Sequence, residues 1–178
     1  MRKTLIFTVA GVLVLCAAVT LRASKFQEAD GALLRKATWQ ALHPRLQLIH
    51  KGDLLGMVQV PRLGLAVPFV EGSEGAPLEV GAGHIPHTAF PGHHGNAGIA
   101  AHRDTVFRPL KDIRPGDDIV ITTPAGSYDY KVSSTEIVMP EENHVLQRTP
   151  HRTLTLVTCY PFFYVGTAPK RFIVHAEG

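Results

Sequence analysis

The chain has 178 residues, of which 45% are hydrophobic and 19% charged, and its formal net charge is +3. This length suits one domain with extensions, and the apolar fraction is sufficient for a packed core, which excludes a disordered protein. The mild positive charge is not gathered into an arginine-rich or aromatic-basic patch, so the composition argues against a nucleic-acid-binding protein.

The first predicted element is a membrane-spanning helix. Residues 4–21 form a run of eighteen residues without a charge, which is near the minimum length for crossing a bilayer. Arg2 and Lys3 precede this run and predict that the N-terminus stays in the cytoplasm. We therefore expect a membrane anchor at residues 1–22, a single-pass protein of the cell membrane, and an extracytoplasmic remainder. A cleaved signal peptide is the alternative.

Two further features belong to this N-terminal part. Cys16 lies within the apolar run, and Leu15 is too large for the position before a lipoprotein cysteine, so we interpret Cys16 as a buried apolar residue. Residues 23–50 mix charged residues with leucines and Trp39, and Gly31 interrupts them. This pattern predicts a juxtamembrane helix or stalk.

From residue 51 onward the pattern changes to short β-rich segments, and we expect residues 51–178 to form one all-β domain. Two of the segments form a hairpin around the turn sequence PAG, and helical turns are expected near residues 105–110 and 141–146. Seven or eight short strands with glycine- and proline-rich turns are typical of a sandwich or a barrel. The strand candidates are LLGMVQV (54–60), LAVPFV (65–70), NAGIAA (96–101), DDIVITT (117–123), SYDYKVSSTEIV (127–138), TLTLVT (153–158) and RFIVHA (171–176).

Cys159 is the only thiol after the apolar run and lies at the end of a predicted strand. An exported domain with one thiol has no intramolecular disulfide to form, so a reactive thiol is the leading interpretation. A thiol becomes a nucleophile when a nearby cation stabilises its thiolate. Arg171 begins the next predicted strand, and antiparallel pairing would bring the two residues together. Its guanidinium suits an acyl oxygen that becomes negative during attack.

A histidine is the second partner expected for the thiol. The chain has 10 histidines, and His102 follows the predicted strand 96–101 as Cys159 follows its own. A histidine that accepts and returns a proton completes a nucleophile–acid/base pair. From the residues alone the alternatives stay open: a small buried cysteine, a hydrogen-bonded histidine at a strand end, and Arg171 as a surface charge.

The sequence around these residues resembles the sortases. TLVTC (155–159), followed by an arginine at the start of the last predicted strand, resembles the sortase signature TLxTC. IAAHRDTVFRPL (99–110) resembles the sortase histidine segment, with Ala101 where glycine is usual. The resemblance covers about residues 54–176. Three segments resemble class D sortases in particular, namely GMVQVPRLGLAVPFVEG, GHIPHTAFPG and VTCYPFFYVGTAPKRFIVHA.

This resemblance implies an all-β fold, an eight-stranded sortase-type β-barrel with short helices, and a cysteine transpeptidase. It implies that Cys159 is the nucleophile, His102 the acid/base, and Arg171 the oxyanion or substrate-orienting residue. Such enzymes cleave an LPXTG-like sorting signal between Thr and Gly, form a thioacyl enzyme, and pass the acyl group to an amine of a peptidoglycan precursor or a pilin lysine. His84 and Thr158 are further candidates for substrate binding, with a positional role for Thr158.

No metal site and no cofactor are expected. Four histidines lie in the glycine-rich segment 83–96, but their spacing does not match zinc-ligand patterns and no cysteine or carboxylate joins them. The adjacent acidic pairs at 117–118 and 141–142 are interpreted as solvated turn charges and not as a calcium site. The four histidines are His84, His87, His93 and His94.

Three other classes of envelope protein are alternatives. An L,D-transpeptidase has its histidine close before the cysteine in an SHGC-type run, whereas TLVT precedes Cys159 here. A papain-like hydrolase has its cysteine at a helix start and ahead of its histidine, whereas here His102 comes first. A non-catalytic envelope binding module predicts that Cys159 is buried and unreactive.

Overall fold

The computed structural model describes residues 49–75, 78–79 and 81–178. The predicted anchor, Cys16 and the predicted stalk up to residue 48 lie outside the described residues. Within the described ranges, none of the helices combines the length and the apolar character that crossing a bilayer requires.

Eight strands close into a barrel in the described part of the chain, in the order β1-β2-β3-β4-β7-β8-β6-β5. Three short 3₁₀ turns accompany them, at Pro61–Leu63, Arg108–Asp112 and Asn143–Leu146. The eight-stranded β-barrel with short helices is therefore confirmed. The strands are β1 (Leu54–Val60), β2 (Leu65–Glu71), β3 (Ala82–His84), β4 (Gly95–Ala100), β5 (Asp118–Thr123), β6 (Gly126–Val138), β7 (Arg152–Tyr160) and β8 (Lys170–Glu177).

The core fills the inside of the barrel. Inward-facing side chains alternate with outward-facing ones along each strand, and closing the sheet into a barrel excludes water from its interior. The inward set is therefore apolar, and it includes Val58, Phe69, Ile99, Ile121, Leu154, Leu156 and Val174, all fully buried. Burial of this apolar surface is the main driving force for the fold.

One strand, β3, was not predicted from the sequence. It has only three residues, pairs in parallel with β2 and antiparallel with β4, and contains Gly83. So short a segment shows no alternation of apolar and polar residues. Glycine fits there because a Cβ on Gly83 would lie 2.1 Å from the backbone oxygen of Gly72.

A second apolar cluster covers the outer face of the sheet at β6, β7 and β8. Val138, Val145 and Ile173 form its buried part, with Leu146 and Val157 packed against them. The 3₁₀ turn Asn143–Leu146 supplies two of these residues, so the connection between β6 and β7 is folded down onto the sheet. This cluster shapes the outer face on which the candidate site lies.

A half-buried ion pair joins the first 3₁₀ turn to the loop before β5, with the Asp117 side chain 7% and the Arg62 side chain 39% accessible. Arg62 donates from Nε and Nη2 to the carboxylate of Asp117, and the Nη2–Oδ2 distance is 2.6 Å. The backbone N–H of Arg114 donates to the same carboxylate at 2.8 Å. The hydrogen bond from Arg62 is the main cause that lowers the pKa of Asp117 below its ordinary value.

We expect Asp117→Asn to lower the free energy of unfolding by about 1 kcal/mol at neutral pH, because it removes the charge of a buried carboxylate that accepts hydrogen bonds from Arg62 and from the backbone of Arg114. Solvent around the Arg62 side chain screens the ion pair and keeps the effect this small. A carboxyl with a lowered folded-state pKa stabilises the fold above its unfolded pKa, and this stability is lost as the pH falls through the folded-state value. The difference between wild type and variant should therefore shrink below about pH 3.9. Urea unfolding across pH measures it.

Asp118→Asn is the matched control, since its ion pair with Lys131 is exposed, with side chains 64% and 63% accessible. Exposed pairs contribute little, so this variant should unfold like the wild type. Equal stability losses for both variants at neutral pH would contradict the assignment.

Candidate active site

Cys159 and Arg171 lie directly opposite each other in the antiparallel pair β7–β8. Residues opposite each other in such a pair point to the same face, with Cβ atoms about 4.5–5.5 Å apart. The expected antiparallel neighbourhood of these two residues is therefore present, and it follows from the register of the last two strands.

His102 follows β4, the other strand that pairs with β7, and lies at the same end of the barrel as Cys159. Strand β4 runs parallel to β7 with Ala100 beside Val157, and the backbone N–H of Ala101 donates to the Val157 carbonyl at 3.2 Å. Continuing this register by two residues brings His102 level with Cys159. The ends of β4 and β7 and the start of β8 thus bring together the three residues predicted to be catalytic.

The three residues share the outer face of the barrel. On β7, Leu154 and Leu156 point into the core, while Val157 packs in the outer cluster, so Cys159 also faces outward. The side chain of Cys159 is half-buried and that of His102 is exposed. Strand register thus places the half-buried thiol level with His102 and opposite Arg171 on this face, in contrast to the buried cysteine expected of a non-catalytic module.

Backbone carbonyls hold the guanidinium of Arg171. Its Nη1 donates to the carbonyl of Lys170 at 3.1 Å and to that of Ala168 at 3.4 Å. A guanidinium carries five N–H donors in a planar fork, so contacts through one nitrogen leave others for a ligand. The arrangement suits binding of an oxyanion close to Cys159.

The Thr158 side chain lies inside the barrel and joins β7 to the segment that carries His102. Its hydroxyl donates to the carbonyl of Ala101 at 2.7 Å, and the residue is only 2% exposed. It ties β7 to β4 directly before Cys159 and His102. The structure favours the positional role, because the buried Thr158 side chain has no exposed surface for the expected substrate contact.

The methyl group at position 101 does not crowd the histidine. Ala101 is 6% exposed and belongs to the core cluster inside the barrel. Alanine in place of the usual glycine therefore adds core packing and leaves the outer face unchanged.

His84 lies in a buried hydrogen-bond network, and the substrate contact considered for it does not fit this position. The residue is 1% exposed, and its Nδ1 lies 2.9 Å from Oε2 of Glu71. Its Nε2 lies 2.9 Å from the carbonyl oxygen of Ala89 and 3.1 Å from Oγ1 of Thr88. Because the ring also stacks on Phe90, with centroids 4.7 Å apart, no part of it is left for a substrate.

Ile85, directly after His84, packs against the outer face of β4. The sequence analysis did not predict this contact. A Cβ on Gly98 would lie 3.1 Å from Cδ1 of Ile85 and 3.0 Å from Cδ2 of Leu146. Gly98 alternates with the inward-facing Ala97 and Ile99, so it lies on the same face as Ala100 and His102. The two apolar side chains close over this glycine. A glycine inside a strand was the only available signal.

Arg103, the neighbour of His102, was also missed. Its Nη2 donates to the carbonyl of Tyr164 at 2.8 Å and to that of Gly166 at 3.2 Å. These bonds fasten the connection between β7 and β8, residues 161–169, to the segment that carries the histidine. The sequence offers no signal for this contact, since it joins two loops 61 residues apart.

The described residues contain a cavity away from Cys159 but no cluster of metal-ligating side chains. No group of three or more His, Cys, Asp or Glu side chains has an arrangement there that suits a metal ion. A cavity of about 320 Å³ opens on the outer face beside Thr153 and Thr155, at least four residues before Cys159 on β7. It is lined mainly by polar side chains and contains no thiol.

Comparison with known proteins agrees with this geometry. The model of the Sortase domain family matches residues 58–178. Sortase D of Bacillus subtilis (strain 168) is 34% identical over 158 residues, which are 88% of this chain and 79% of that protein. Sortase A of Streptococcus agalactiae is 28% identical over 72% of this chain and 54% of its own length.

Solved structures show the same likeness. A sortase D5 transpeptidase from Clostridium perfringens superimposes with a TM-score of 0.68 and 30% identity, over 80% of this chain and 87% of that one. Clostridium perfringens sortase C with the C-terminal cell wall sorting motif has a TM-score of 0.68 and 27% identity, over 75% of both chains.

Proposed function

The chain belongs to the sortase family, and on this premise we propose that it joins sorting-signal proteins to amines through Cys159. It is a class D-like sortase and a cysteine transpeptidase. The observation that carries the residue assignment is the pairing of Cys159 with Arg171 in β7–β8, with His102 at the end of the adjacent strand.

In the proposed acylation step, the Cys159 thiolate attacks the carbonyl carbon of the scissile peptide bond. The carbonyl oxygen becomes an oxyanion, and the guanidinium of Arg171 stabilises it. The His102 imidazolium then donates its proton to the leaving amine as the C–N bond breaks. The products are a thioester on Cys159, a free amine and a neutral histidine.

In the second step an acceptor amine attacks the thioester carbonyl. His102 takes the proton that the amine loses, and the C–S bond breaks to return the thiolate. The reaction replaces one amide bond by another of similar free energy, so no external energy source is needed. Water is the poor substitute acceptor, and its attack gives the hydrolysed peptide.

The substrate is proposed to be a protein with an LPXTG-like sorting signal, cut between Thr and Gly. The similar sortase C structure with a cell wall sorting motif supports this substrate class. For the acceptor we propose an amine of a peptidoglycan precursor or a pilin lysine.

The test is incubation of the protein with an LPXTG-like peptide and a small amine, followed by mass spectrometry. A thioester adduct on Cys159 and an amide product that depends on the amine are expected. A protein that binds the peptide and forms neither species would overturn the proposed function.

We also propose that residues 1–22 anchor the protein in the membrane, with the catalytic domain, residues 51–178, outside the cytoplasm. The charge-free run after Arg2 and Lys3 motivates this placement. Full-length protein in the membrane fraction, labelled by a thiol reagent added outside the cell, is the expected result. A soluble species that begins near Ser24 would instead indicate a cleaved signal peptide.

We expect Arg171→Ala to lower the rate of acylation by about 10²–10³, because the oxyanion contact strengthens as charge develops. Arg171→Lys keeps the charge and loses the planar fork, so its rate should fall between that of the alanine variant and the wild type. Single-turnover acylation measures the chemical step. Lys131→Ala, at an exposed site outside the candidate active site, is the control and should react normally; equal rates for all variants would remove Arg171 from the mechanism.

A further inference from the structure

Arg103, the residue after His102, holds the connection between β7 and β8 by its backbone. Its Nη2 donates to the carbonyl of Tyr164 at 2.8 Å and to that of Gly166 at 3.2 Å. Both bonds have a charged donor, and such hydrogen bonds are stronger than those between neutral groups. The connection, residues 161–169, is therefore fixed at two carbonyls to the segment that carries the histidine.

The middle of this connection has little side-chain packing. Phe163, Tyr164 and Val165 are 73%, 47% and 99% exposed, so their burial contributes little to holding the chain in place. The two ends are better packed, since Phe162 lies against the core and Ala168 is only 6% exposed. The backbone bonds from Arg103 thus act on the part of the connection that packing leaves least restrained.

The guanidinium of Arg171 contacts the far end of the same stretch of chain. Its Nη1 donates to the carbonyls of Ala168 and Lys170. Two arginines therefore hold four alternate carbonyls, Arg103 those of residues 164 and 166 and Arg171 those of residues 168 and 170. Because the Ala168 carbonyl belongs to the connection, a shift of the connection alters a contact that orients the Arg171 guanidinium.

Stability alone does not account for the Arg103 side chain. Its Nε is buried and has no hydrogen-bond partner in the described part of the chain. Burying a donor without a partner costs free energy, which offsets part of what the two carbonyl bonds contribute. The main consequence of this side chain is therefore the position of the connection, and not the stability of the barrel.

We propose that Arg103 is a positioning residue for the transfer reaction. It fixes the connection so that the Ala168 carbonyl orients the Arg171 guanidinium toward the oxyanion that forms when Cys159 attacks. This role rests on the proposed function, in which Arg171 stabilises that oxyanion. Because the oxyanion exists only after attack, Arg103 acts on the rate of the chemical step and has little effect on binding of the peptide.

The first test compares Arg103→Met with the wild-type full chain in single-turnover acylation by an LPXTG-like peptide. Methionine keeps an unbranched side chain and removes both carbonyl bonds. We expect acylation to slow by about tenfold, because a small displacement of a catalytic group is costly. The peptide concentration that gives half the maximal rate should stay within about twofold. Arg103→Lys keeps one charged donor nitrogen and should recover part of the rate.

A double-mutant cycle separates action through Arg171 from an independent role of Arg103. In the Arg171→Ala background, Arg103→Met should change the acylation rate by less than about twofold, because the group that it positions is absent. A loss of about tenfold in both backgrounds would show that Arg103 acts independently of Arg171 and would overturn the proposal. So would an unchanged rate for Arg103→Met alone.

Arg108→Met is the matched control, since the Arg108 guanidinium lies 5.5 Å from the ring centroid of Phe163 in the same connection. This variant removes an equal charge and a contact with a side chain, and it leaves the two carbonyl bonds from Arg103 in place. Its acylation rate should lie within about twofold of the wild type. An equal loss in both variants would assign the effect to positive charge near the site and would overturn the proposal.

Limited proteolysis tests the fixing of the connection without using the transfer reaction. Chymotrypsin cleaves after aromatic residues, and the carbonyl of the bond after Tyr164 is one that Arg103 holds. Because loops are cleaved through local opening, cleavage there should be about tenfold faster in Arg103→Met than in the wild type. Equal cleavage would overturn the proposal. A wild type that acylates with no peptide would instead refute the proposed function and this role with it, while the cleavage rates would still show whether Arg103 fixes the connection.

Discussion

Replacing Cys159 by alanine is expected to lower acyl transfer by about 10⁴-fold or more and to abolish the thioester adduct. Loss of the covalent nucleophile removes the whole acylation route. The variant can still bind the peptide and stabilise charge, but it has no atom that could form the thioester. The half-buried thiol lies on the outer face opposite Arg171, so alanine removes the nucleophile and leaves the barrel core unaltered. Initial rates with an LPXTG-like peptide and an amine, together with intact-protein mass, measure the effect.

Cys16→Ser is the control for this variant, because it removes the other thiol of the chain. It should keep the wild-type rate and the adduct. A Cys159→Ala protein that still transfers the peptide, or a Cys16→Ser protein that loses activity, would contradict the assignment of the nucleophile.

Replacing His102 by alanine is expected to lower the acylation rate by about 10²–10⁴, the usual contribution of a positioned acid/base group. Without the imidazolium, the leaving amine has no proton donor beside Cys159. The wild type should show a bell-shaped pH profile for acylation, because the reactive state holds a thiolate and an imidazolium together. His102→Ala should lose this bell shape, because one member of the pair is gone.

His151→Ala is the matched control, since His151 is exposed directly before β7, at the opposite end of that strand from Cys159. Its rate and its pH profile should equal those of the wild type. Wild-type acylation by His102→Ala, or a requirement for a different histidine, would refute the mechanism while leaving the barrel intact.

Much of the fold was predictable because its signals are local. The segments that became β1, β2, β4, β5, β6, β7 and β8 are rich in β-branched and apolar residues and are bounded by glycine and proline. The 3₁₀ turns at Arg108–Asp112 and Asn143–Leu146 overlap the expected helical turns. Strand β3 was not predicted, because its three residues around Gly83 carry no periodic pattern. They form a strand only because β2 and β4 lie on either side.

The approach of Cys159 to Arg171 was also predictable, because consecutive strands joined by a short connection pair antiparallel. The neighbourhood of His102 and Cys159 was not derivable from pattern alone. It depends on the parallel pairing of β4 with β7, two strands separated by two others along the chain. For that pair the resemblance to sortases supplied the expectation that local sequence could not.

The sequence by itself determined the strand segments, the isolated thiol and the motifs that carry the resemblance, since each of these is a property of neighbouring residues. Tertiary structure alone decided that His84 is buried against Glu71, that Thr158 faces inward to Ala101, and that Arg103 fastens the connection after β7. These contacts join residues distant in the chain, and closure of the barrel sets which side chains meet. Burial and register are properties of the assembled sheet, so no local pattern contains them.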